Sequence, residues 1–232
     1  MPFKMLDTFC GMGGVSNGFS MEGFDVTGID IVDAPKMLGY KHRFIQADML
    51  SLKGEDFKGY DVIWGSPPCR DFSEFCRIYG STWKDKPNPL RGLILVNSFI
   101  EFVNRALPRY WILENVSGLI KYFHKKPRSL TYLTVSRNGM GKKHAFWGNF
   151  PLCLIPKDTT HVITYHKLIN GKRCPKSVSK SKLSSWENAK IPLGCSRAFA
   201  KACHDALMGK GDCHMKRAFR VKALSKTEED NS

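Results

Sequence analysis

A glycine-rich segment near the start of the chain constrains the fold more than any other feature. It reads Asp7-Thr8-Phe9-Cys10-Gly11-Met12-Gly13-Gly14 and lies between a short apolar stretch, residues 3–7, and a segment with helical spacing, residues 15–21. Glycines between a strand and a helix let the backbone approach a ligand closely, and the helix offers its N-terminal amides. The segment therefore predicts a nucleotide-like cofactor site, although it lacks the G-x-G-x-x-G pattern of NAD-binding proteins.

Strand-like and helix-like segments alternate through the first half of the chain. Apolar, strand-like stretches occur at residues 24–30, 44–48, 60–64 and 110–113, and residues 90–106 have apolar side chains at helical spacing. This alternation predicts an α/β fold with a Rossmann-like, doubly wound and mostly parallel sheet. In such folds ligands bind at the carboxyl ends of the strands.

The charge of the chain is concentrated in its second half. Residues 1–120 contain 13 Lys and Arg against 14 Asp and Glu, whereas residues 121–232 contain 23 against 7, and the formal net charge is +15. Lys and Arg displace counterions from phosphates without reading a sequence. Because the excess extends from Lys121 to Lys222, a lobe that binds nucleic acid explains it better than a solvated basic tail.

The cysteines and the apolar runs exclude several classes of protein. The eight cysteines do not form the pattern of a disulfide framework, and Cys203-His204 with Cys213-His214 match no common zinc-binding spacing. No apolar run is long enough to span a bilayer, and no signal-peptide hydrophobic region follows Met1. We therefore expect a soluble, cytoplasmic protein without a metal site or a membrane partner.

Two further motifs follow strands of the predicted sheet. Gly65-Ser66-Pro67-Pro68-Cys69 presents a thiol on a turn that two prolines stiffen, and Glu114-Asn115-Val116 follows the apolar stretch 110–113. The alternatives are a packed, inert cysteine at position 69 and helix-capping roles for Glu114 and Asn115. The Gly-Ser-Pro-Pro-Cys string is more specific than a lone cysteine, and Glu114 lies one strand beyond the thiol, so the catalytic roles are favoured. A glycine loop, a nucleophile and an acid at the ends of three strands of one sheet together indicate an enzyme active site.

In this order the three motifs resemble those of the cytosine-5 DNA methyltransferases, over about residues 3–150 and more weakly over residues 186–207. The resemblance implies a class I methyltransferase sheet, S-adenosylmethionine (S-adenosyl-L-methionine) as the cofactor and DNA as the substrate. The methyl group would pass to carbon 5 of a flipped cytosine through a covalent adduct with Cys69. The resemblance also allows for a restriction endonuclease as a partner, and it leaves the oligomeric state open.

The predicted organisation has four parts. Residues 1–150 are expected to form the S-adenosylmethionine-binding catalytic domain, and residues 151–185 a small, loop-rich, basic target-recognition lobe. A helix within residues 186–208 is expected to pack back on the catalytic domain, and residues 209–232 to form a disordered tail. Because the lobe has only about 35 residues, specificity for the target sequence is expected to be short, loose or supplied by a partner.

The resemblance also assigns roles to individual residues. Cys69 is expected to be the nucleophile on the turn shaped by Pro68, and Glu114, oriented by Asn115, is expected to protonate the ring. Asp30 is expected to bind ribose and Asp48 adenine. The full set expected to contact the cofactor is Asp7, Phe9, Gly11, Gly13, Gly14, Asp30, Ile31, Asp48 and Pro67, and the set expected to contact the substrate is Ser73, Arg137, Lys142 and His144.

The chain departs from the family at one important position. The family usually carries an Arg-x-Arg pair ahead of a strand, with one Arg contacting the flipped base, whereas this region reads Ser136-Arg137-Asn138-Gly139-Met140-Gly141-Lys142-Lys143-His144. The role of the pair then falls to Arg137, Lys142 or His144. Lys lacks the planar fork of Arg, so this contact is expected to be weaker or rearranged.

Three other functions fit parts of the sequence. An RNA cytosine-5 methyltransferase explains the basic half equally well, because phosphate contacts do not identify the nucleic acid. A catalytically inactive module that binds nucleic acid or cofactor explains the missing Arg-x-Arg pair, although the presence of Cys69 and Glu114 opposes it. Amino-methyltransferases share the Pro-Pro step but have an aromatic residue where this chain has Cys69.

Overall fold

The computed structural model describes residues 1–73, 86–134, 141–153, 155, 167–169, 172–174 and 190–210. Its strands are β1 (Lys4–Thr8), β2 (Asp25–Asp30), β3 (Arg43–Gln46), β4 (Val62–Gly65), β5 (Tyr110–Val116), β6 (Ser129–Thr134), β7 (Gly141–Asn149), β8 (Lys167–Ile169) and β9 (Lys172–Cys174). Its α-helices are α1 (Gly14–Met21), α2 (Ala34–Leu38), α3 (Pro89–Ala106) and α4 (Leu193–Leu207).

Seven strands form one sheet in the order β3-β2-β1-β4-β5-β7-β6. Strands β1 to β5 are parallel to their neighbours, and β7 runs antiparallel between β5 and β6. This doubly wound, mostly parallel sheet of the class I methyltransferase type confirms the predicted fold class. Strands β8 and β9 form a separate antiparallel pair within the predicted recognition lobe.

The central strands are buried on both faces, and alternate side chains enter two different cores. In β1 Met5 belongs to the core that contains α1 and α4, whereas Leu6 belongs to the core that contains α3. In β4 Trp64 belongs to the core that contains α1 and α4, and Ile63 belongs to the core that contains α3. Helices therefore cover both faces, as a parallel sheet requires.

Helix α3 begins and ends at residues that suit those positions. The Asn88 side chain accepts hydrogen bonds from the amides of Leu90 and Arg91 at 3.1 and 3.4 Å, and Pro89 occupies the first turn. The helix stops at Leu107, which has a left-handed φ of 56° and precedes Pro108. In the chain, helix α3 thus lies between the Pro-Pro-Cys motif and β5.

The C-terminal helix packs directly on the helix that follows the glycine loop. A Cβ at Gly18 would lie 2.2 Å from Oγ of Ser196, and one at Gly14 would lie 2.8 Å from the carbonyl oxygen of Ile191. Oγ of Ser196 donates a hydrogen bond of 3.0 Å to the carbonyl oxygen of Gly14. Only glycine permits so close an approach between α1 and the segment around α4.

Two details differ from the sequence prediction. Strand β3 ends at Gln46 rather than Asp48, because the Asp48 carboxylate accepts the amide of Leu50 at 3.0 Å and so begins the 3-10 turn Met49–Ser51. Strand β6 was not predicted. In the part of the chain that the structure describes, no helix has the length and apolarity that crossing a bilayer requires.

Candidate active site

The glycine loop leaves β1 through residues with left-handed backbone conformations. Phe9, Gly11 and Gly13 have φ values of 61°, 48° and 74°. Glycine adopts this region without strain, whereas a side chain such as that of Phe9 does so at a cost of about 1–3 kcal/mol. The amide of Cys10 donates to the carbonyl oxygen of Ile29 at 3.0 Å. This bond holds the loop against the end of β2.

Asp30 ends β2 and reaches across to the glycine loop. Its buried carboxylate accepts the amide of Gly11 at 2.9 Å on Oδ2 and the amide of Val32 at 3.2 Å on Oδ1. Each carboxylate oxygen has two lone pairs, so both can accept a further donor. The next side chain, Ile31, is 62% exposed and offers an apolar surface beside the carboxylate.

Asp48 lies near the same edge of the sheet. Asp30 pairs with Gln46 in the β2–β3 ladder, and the amide of Ala47 donates to the carbonyl oxygen of Asp30 at 3.0 Å. Asp48 follows directly and is half-buried, with Oδ1 bonded to the amide of Leu50. The ends of β2 and β3 thus bring two carboxylates and one exposed aliphatic side chain to one edge of the sheet, where Asp30 bonds to the glycine loop.

Asp7 has partners inside the protein. Its Oδ2 accepts hydrogen bonds from the amide and Oγ of Ser16 at 3.1 and 2.6 Å. Because the Ser16 hydroxyl donates to Asp7, the hydroxyl of Tyr40, 2.8 Å away, donates to Ser16. Burial raises the pKa of Asp7 to about 7, although the bonds from Ser16 lower it. In this arrangement Asp7 holds the first turn of α1.

The turn that carries Cys69 follows β4 directly. Pro67 is buried, Pro68 is exposed and Cys69 is half-buried. Prolines supply no amide donors, so this turn is held through its carbonyl groups. The carbonyl oxygen of Cys69 accepts the amide of Phe72 at 3.1 Å, which begins the 3-10 turn Arg70–Phe72.

Asn115 joins this turn to β5. Its Nδ2 donates to the carbonyl oxygen of Pro67 at 3.0 Å, and its Oδ1 accepts the amide of Val116 at 2.9 Å. The side chain is fully buried. Because the Val116 bond identifies the oxygen of the amide group, Nδ2 is left to hold the proline turn.

A second clamp lies just beyond Cys69, and the sequence analysis did not identify it. Asp71 accepts Nε and Nη2 of Arg91 at 3.0 and 2.7 Å and the amide of Asn88 at 2.9 Å. Burial acts to raise the pKa of Asp71, but the hydrogen bonds from Arg91 and Asn88 outweigh burial, so the pKa is lowered. This clamp ties the Cys69 turn to the start of α3.

Phe72 is enclosed between two glycines. A Cβ at Gly92 would lie 2.6 Å from Cζ of Phe72, and one at Gly118 would lie 1.8 Å from its carbonyl oxygen. Phe72 itself is fully buried. The residues after Cys69 are therefore held by α3 on one side and by the segment after β5 on the other.

Glu114 forms a buried pair with His144. In the β5–β7 ladder Glu114 lies opposite Phe146 and His144 opposite Val116, so both side chains lie on the same face of the sheet. Oε1 of Glu114 is 2.5 Å from Nδ1 of His144, and the two residues are 6% and 5% exposed. Within the described ranges, Nε2 of His144 is buried without a hydrogen-bond partner.

Described neighbours of this pair include a buried thiol and a buried aromatic ring. Cys195 of α4 is close enough to interact electrostatically with Glu114 and with Cys153. Burial raises the pKa of Cys195 and of Cys203 well above that of an ordinary thiol, so both stay uncharged. Phe146 on the same sheet face is fully buried.

The three motifs meet at one edge of the sheet. Thr8 pairs with Gly65, and Gly65 pairs with Leu113, so the glycine loop, the Cys69 turn and Glu114 all follow neighbouring strands. Ser73 is half-buried and follows the Asp71–Phe72 clamp. Of the other predicted substrate contacts, Arg137 lies outside the described residues, as does the side chain of Lys142.

A sheet of this order with these motifs at its carboxyl edge defines an α/β protein of the class I methyltransferase type. A family model described as C-5 cytosine-specific DNA methylase matches residues 3–138. The chain belongs to this family, which confirms the resemblance found in its motifs.

Individual relatives support the family assignment. The Type II methyltransferase M.NgoPII of Neisseria gonorrhoeae is 29% identical over 129 residues, which are 53% of this chain and 36% of that protein. The Type II methyltransferase M.AquIA of Picosynechococcus sp. is 25% identical over 181 residues, 72% of this chain and 65% of that protein. The chain spans about a third of the length of most of the curated relatives it matches.

Among solved structures, a DNA modification methyltransferase encoded in an E. coli prophage matches with 23% identity and a TM-score of 0.47. The match covers 63% of this chain and 46% of that one.

Proposed function

We propose that this chain transfers a methyl group from S-adenosylmethionine to carbon 5 of cytosine in DNA, with Cys69 as the nucleophile. One observation carries the proposal: the Cys69 turn and the Glu114 strand are joined by the 3.0 Å bond from Asn115 to Pro67, at the same sheet edge as the glycine loop. Membership of the cytosine-5 family supports it.

The reaction explains why a thiol and an acid are needed together. Carbon 5 of cytosine is too poor a nucleophile to take a methyl group unaided. A thiolate that adds to carbon 6 turns the ring into an enamine, and an acid at ring nitrogen 3 neutralises the charge that develops. A base then removes the carbon-5 proton and the thiol leaves. Because carbon 6 is inaccessible in a duplex, the cytosine has to flip out of the stack.

The residues at the ends of β2 and β3 fit the cofactor. Asp30 retains acceptor capacity for ribose hydroxyls, Ile31 presents an exposed apolar surface for a purine ring, and Asp48 is half-buried beside them. Gly11 and Gly13 have no side chains to obstruct a ligand at the loop. When bound, S-adenosylmethionine supplies an electrophilic methyl group on a sulfonium centre.

The nature of the nucleic acid is a separate part of the proposal. The basic second half favours a polyanion but does not distinguish DNA from RNA. The description of the matching family, a DNA methylase, supports DNA. Relatives named Type II methyltransferases support the further proposal that a restriction endonuclease is a partner of this protein.

Covalent trapping tests this function. The chain is incubated with S-adenosylmethionine and a pool of random-sequence duplexes in which 5-fluorocytosine replaces cytosine, and adducts that resist denaturation are measured. Fluorine at carbon 5 blocks the final elimination, so a working enzyme stays attached. The matched control for Cys69→Ser is Cys153→Ser, because Cys153 is also half-buried and burial raises its pKa to about 12.

We expect the adduct with the wild type and with Cys153→Ser, and its loss in Cys69→Ser. An adduct that persists in Cys69→Ser would exclude Cys69 as the nucleophile. An adduct on the corresponding RNA pool but not on DNA would identify an RNA methyltransferase. Failure on both pools, with nucleic-acid or cofactor binding intact, would identify an inactive binding module.

A further inference from the structure

We propose that His144 is a positioning residue, which donates from Nδ1 to Oε1 of Glu114 and so leaves Oε2 as the oxygen that carries the proton for the substrate ring. This inference rests on the function proposed above. It concerns a contact between two side chains 30 residues apart in the chain, 2.5 Å between Nδ1 and Oε1.

Burial restricts the charge that this pair holds. The two residues are 6% and 5% exposed, and a net negative charge so deep in the protein is costly. A pair with no net charge contains two acidic protons, either as carboxylate with imidazolium or as carboxylic acid with neutral imidazole. In the second form, Nδ1–H donates to Oε1 while Oε2–H remains as the proton donor.

The unpartnered ring nitrogen selects between these forms. An imidazolium places a proton on Nε2, which has no hydrogen-bond partner among the described residues. A buried donor without an acceptor is rarer than a buried acceptor that is under-satisfied. The neutral imidazole, with its only proton on Nδ1, therefore fits this environment better, and the acidic proton resides on Glu114.

Three described neighbours of the pair, Cys195, Val116 and Phe146, carry no charge. Within the described part of the chain, the titratable side chain of α4 that interacts with Glu114 is Cys195, which burial keeps as a neutral thiol. On β5 and β7 the pair is flanked by Val116 and Phe146. No charge from these described neighbours competes with His144 for the carboxyl.

The proton balance of the reaction follows. When the sulfur of Cys69 bonds to carbon 6, ring nitrogen 3 takes the proton from Oε2, and the Nδ1–H bond stabilises the carboxylate that is left. When the carbon–sulfur bond breaks, nitrogen 3 returns the proton to Oε2. Throughout this cycle the imidazole keeps its own proton on Nδ1.

Two amide substitutions separate the roles of the ring nitrogens. The amide nitrogen of Asn occupies about the position of Nδ1, whereas that of Gln reaches the position of Nε2. We expect His144→Asn to form the 5-fluorocytosine adduct at a rate within about threefold of the wild type. We expect His144→Gln and His144→Leu to be slowed by about 10- to 100-fold, since a positioned acid contributes about 10²–10⁴-fold.

The dissociation constant for S-adenosylmethionine, measured by calorimetry, checks that each variant is folded, and it should stay within about twofold in all three. Rescue by Gln and not by Asn would overturn the proposal, because His144 would then act through Nε2. Equal rates in all variants would also overturn it, as would equal loss in all variants with cofactor binding intact.

Nitrogen NMR of histidine-labelled wild type tests the contact without any catalysis. We expect one histidine with its proton on Nδ1 at neutral pH, with a signal that shifts in Glu114→Gln and is absent in His144→Asn. If Nδ1 carries no proton, this inference fails whatever the activity. If the wild type forms no adduct while Nδ1 is protonated as expected, the proposed function fails instead.

Discussion

Asn115 holds the carbonyl oxygen of Pro67 at 3.0 Å and thereby fixes the distance between the strand of the candidate acid and the turn of the candidate nucleophile. The side chain is fully buried, so no water replaces this donor if it is lost. One buried amide group therefore links the strand of the candidate acid directly to the turn of the candidate nucleophile.

Replacing that amide with a carboxylate should slow the reaction. Asn115→Asp keeps an acceptor for the amide of Val116 but loses the donor to Pro67. We expect adduct formation to fall by about tenfold or more, because small displacements of reacting groups are costly. Asn149→Asp is the matched control, since Asn149 also donates to a backbone carbonyl, that of Arg109, at 3.1 Å. Equal rates in the two variants would contradict a positioning role for Asn115.

The clamp on Asp71 should make the protein sensitive to acid. The lowered pKa of Asp71 means that its ionised form stabilises the folded state. This stabilisation is present above the ordinary Asp pKa of about 3.9 and is lost as the pH falls through the folded-state value. We expect the free energy of unfolding, from urea titrations between about pH 5 and pH 2, to fall more for the wild type than for Asp71→Asn.

Asp205→Asn is the control for that experiment. Asp205 also pairs with a cation, Lys201 at 2.9 Å, but on the exposed surface of α4. Exposed pairs contribute little to stability. The acid dependence of the free energy of unfolding of Asp205→Asn should therefore match that of the wild type. If Asp205→Asn differed from the wild type more than Asp71→Asn does, the stabilising role of the Asp71 clamp would be refuted.

Asp7 should have the opposite dependence on pH. Burial raises its pKa to about 7, so the folded chain retains a proton that the unfolded chain releases near pH 4. The free energy of unfolding should then decrease as the pH rises from about 4 to about 7. Asp7→Asn keeps an oxygen for Ser16 and has no such titration. We expect the difference between the two proteins to change across this range, and parallel curves would contradict the raised pKa.

A methyl group at Gly18 should separate α1 from α4. Its Cβ would lie 2.2 Å from Oγ of Ser196 and 2.8 Å from the amide nitrogen of Arg197, and the backbone atom has little freedom to move. We expect Gly18→Ala to reduce the free energy of unfolding by about 1–3 kcal/mol. Thermal and urea unfolding measure this change, with Ser20→Ala on the exposed part of α1 as the control. A stability equal to that of the control would contradict the close packing.

The sequence predicted those features that are encoded locally. The glycine loop, the Pro-Pro-Cys turn and the Glu-Asn pair each follow an apolar strand, and parallel topology alone brings such strand ends to one edge. Strand β6 was missed although Leu130 and Tyr132 alternate with polar residues. The predicted third strand ended at Asp48, whereas β3 ends at Gln46. The capping role of Asp48 is not visible in the pattern of apolar residues.

The contacts between distant residues could not be predicted in this way. The Glu114–His144 pair depends on the register of an antiparallel strand, and a shift of one residue would turn His144 to the other face. Nor does the spacing of Asp71 and Arg91 indicate their contact, which results from the packing of α3 on the Cys69 turn. Local patterns indicated the candidate reacting groups, whereas tertiary packing decides which residues orient them.

The packing of α4 on α1 also has a consequence for the order in which the protein is made. The glycine loop is synthesised well before the surface that covers Gly14 and Gly18, which comes from residues near 191 and 196. During translation the small-residue face of α1 therefore stays uncovered until the residues of α4 have also been synthesised. Long-range contacts of this kind form late in folding. The glycine loop is thus synthesised before the rest of the candidate site, yet it is among the last parts to reach its packed conformation.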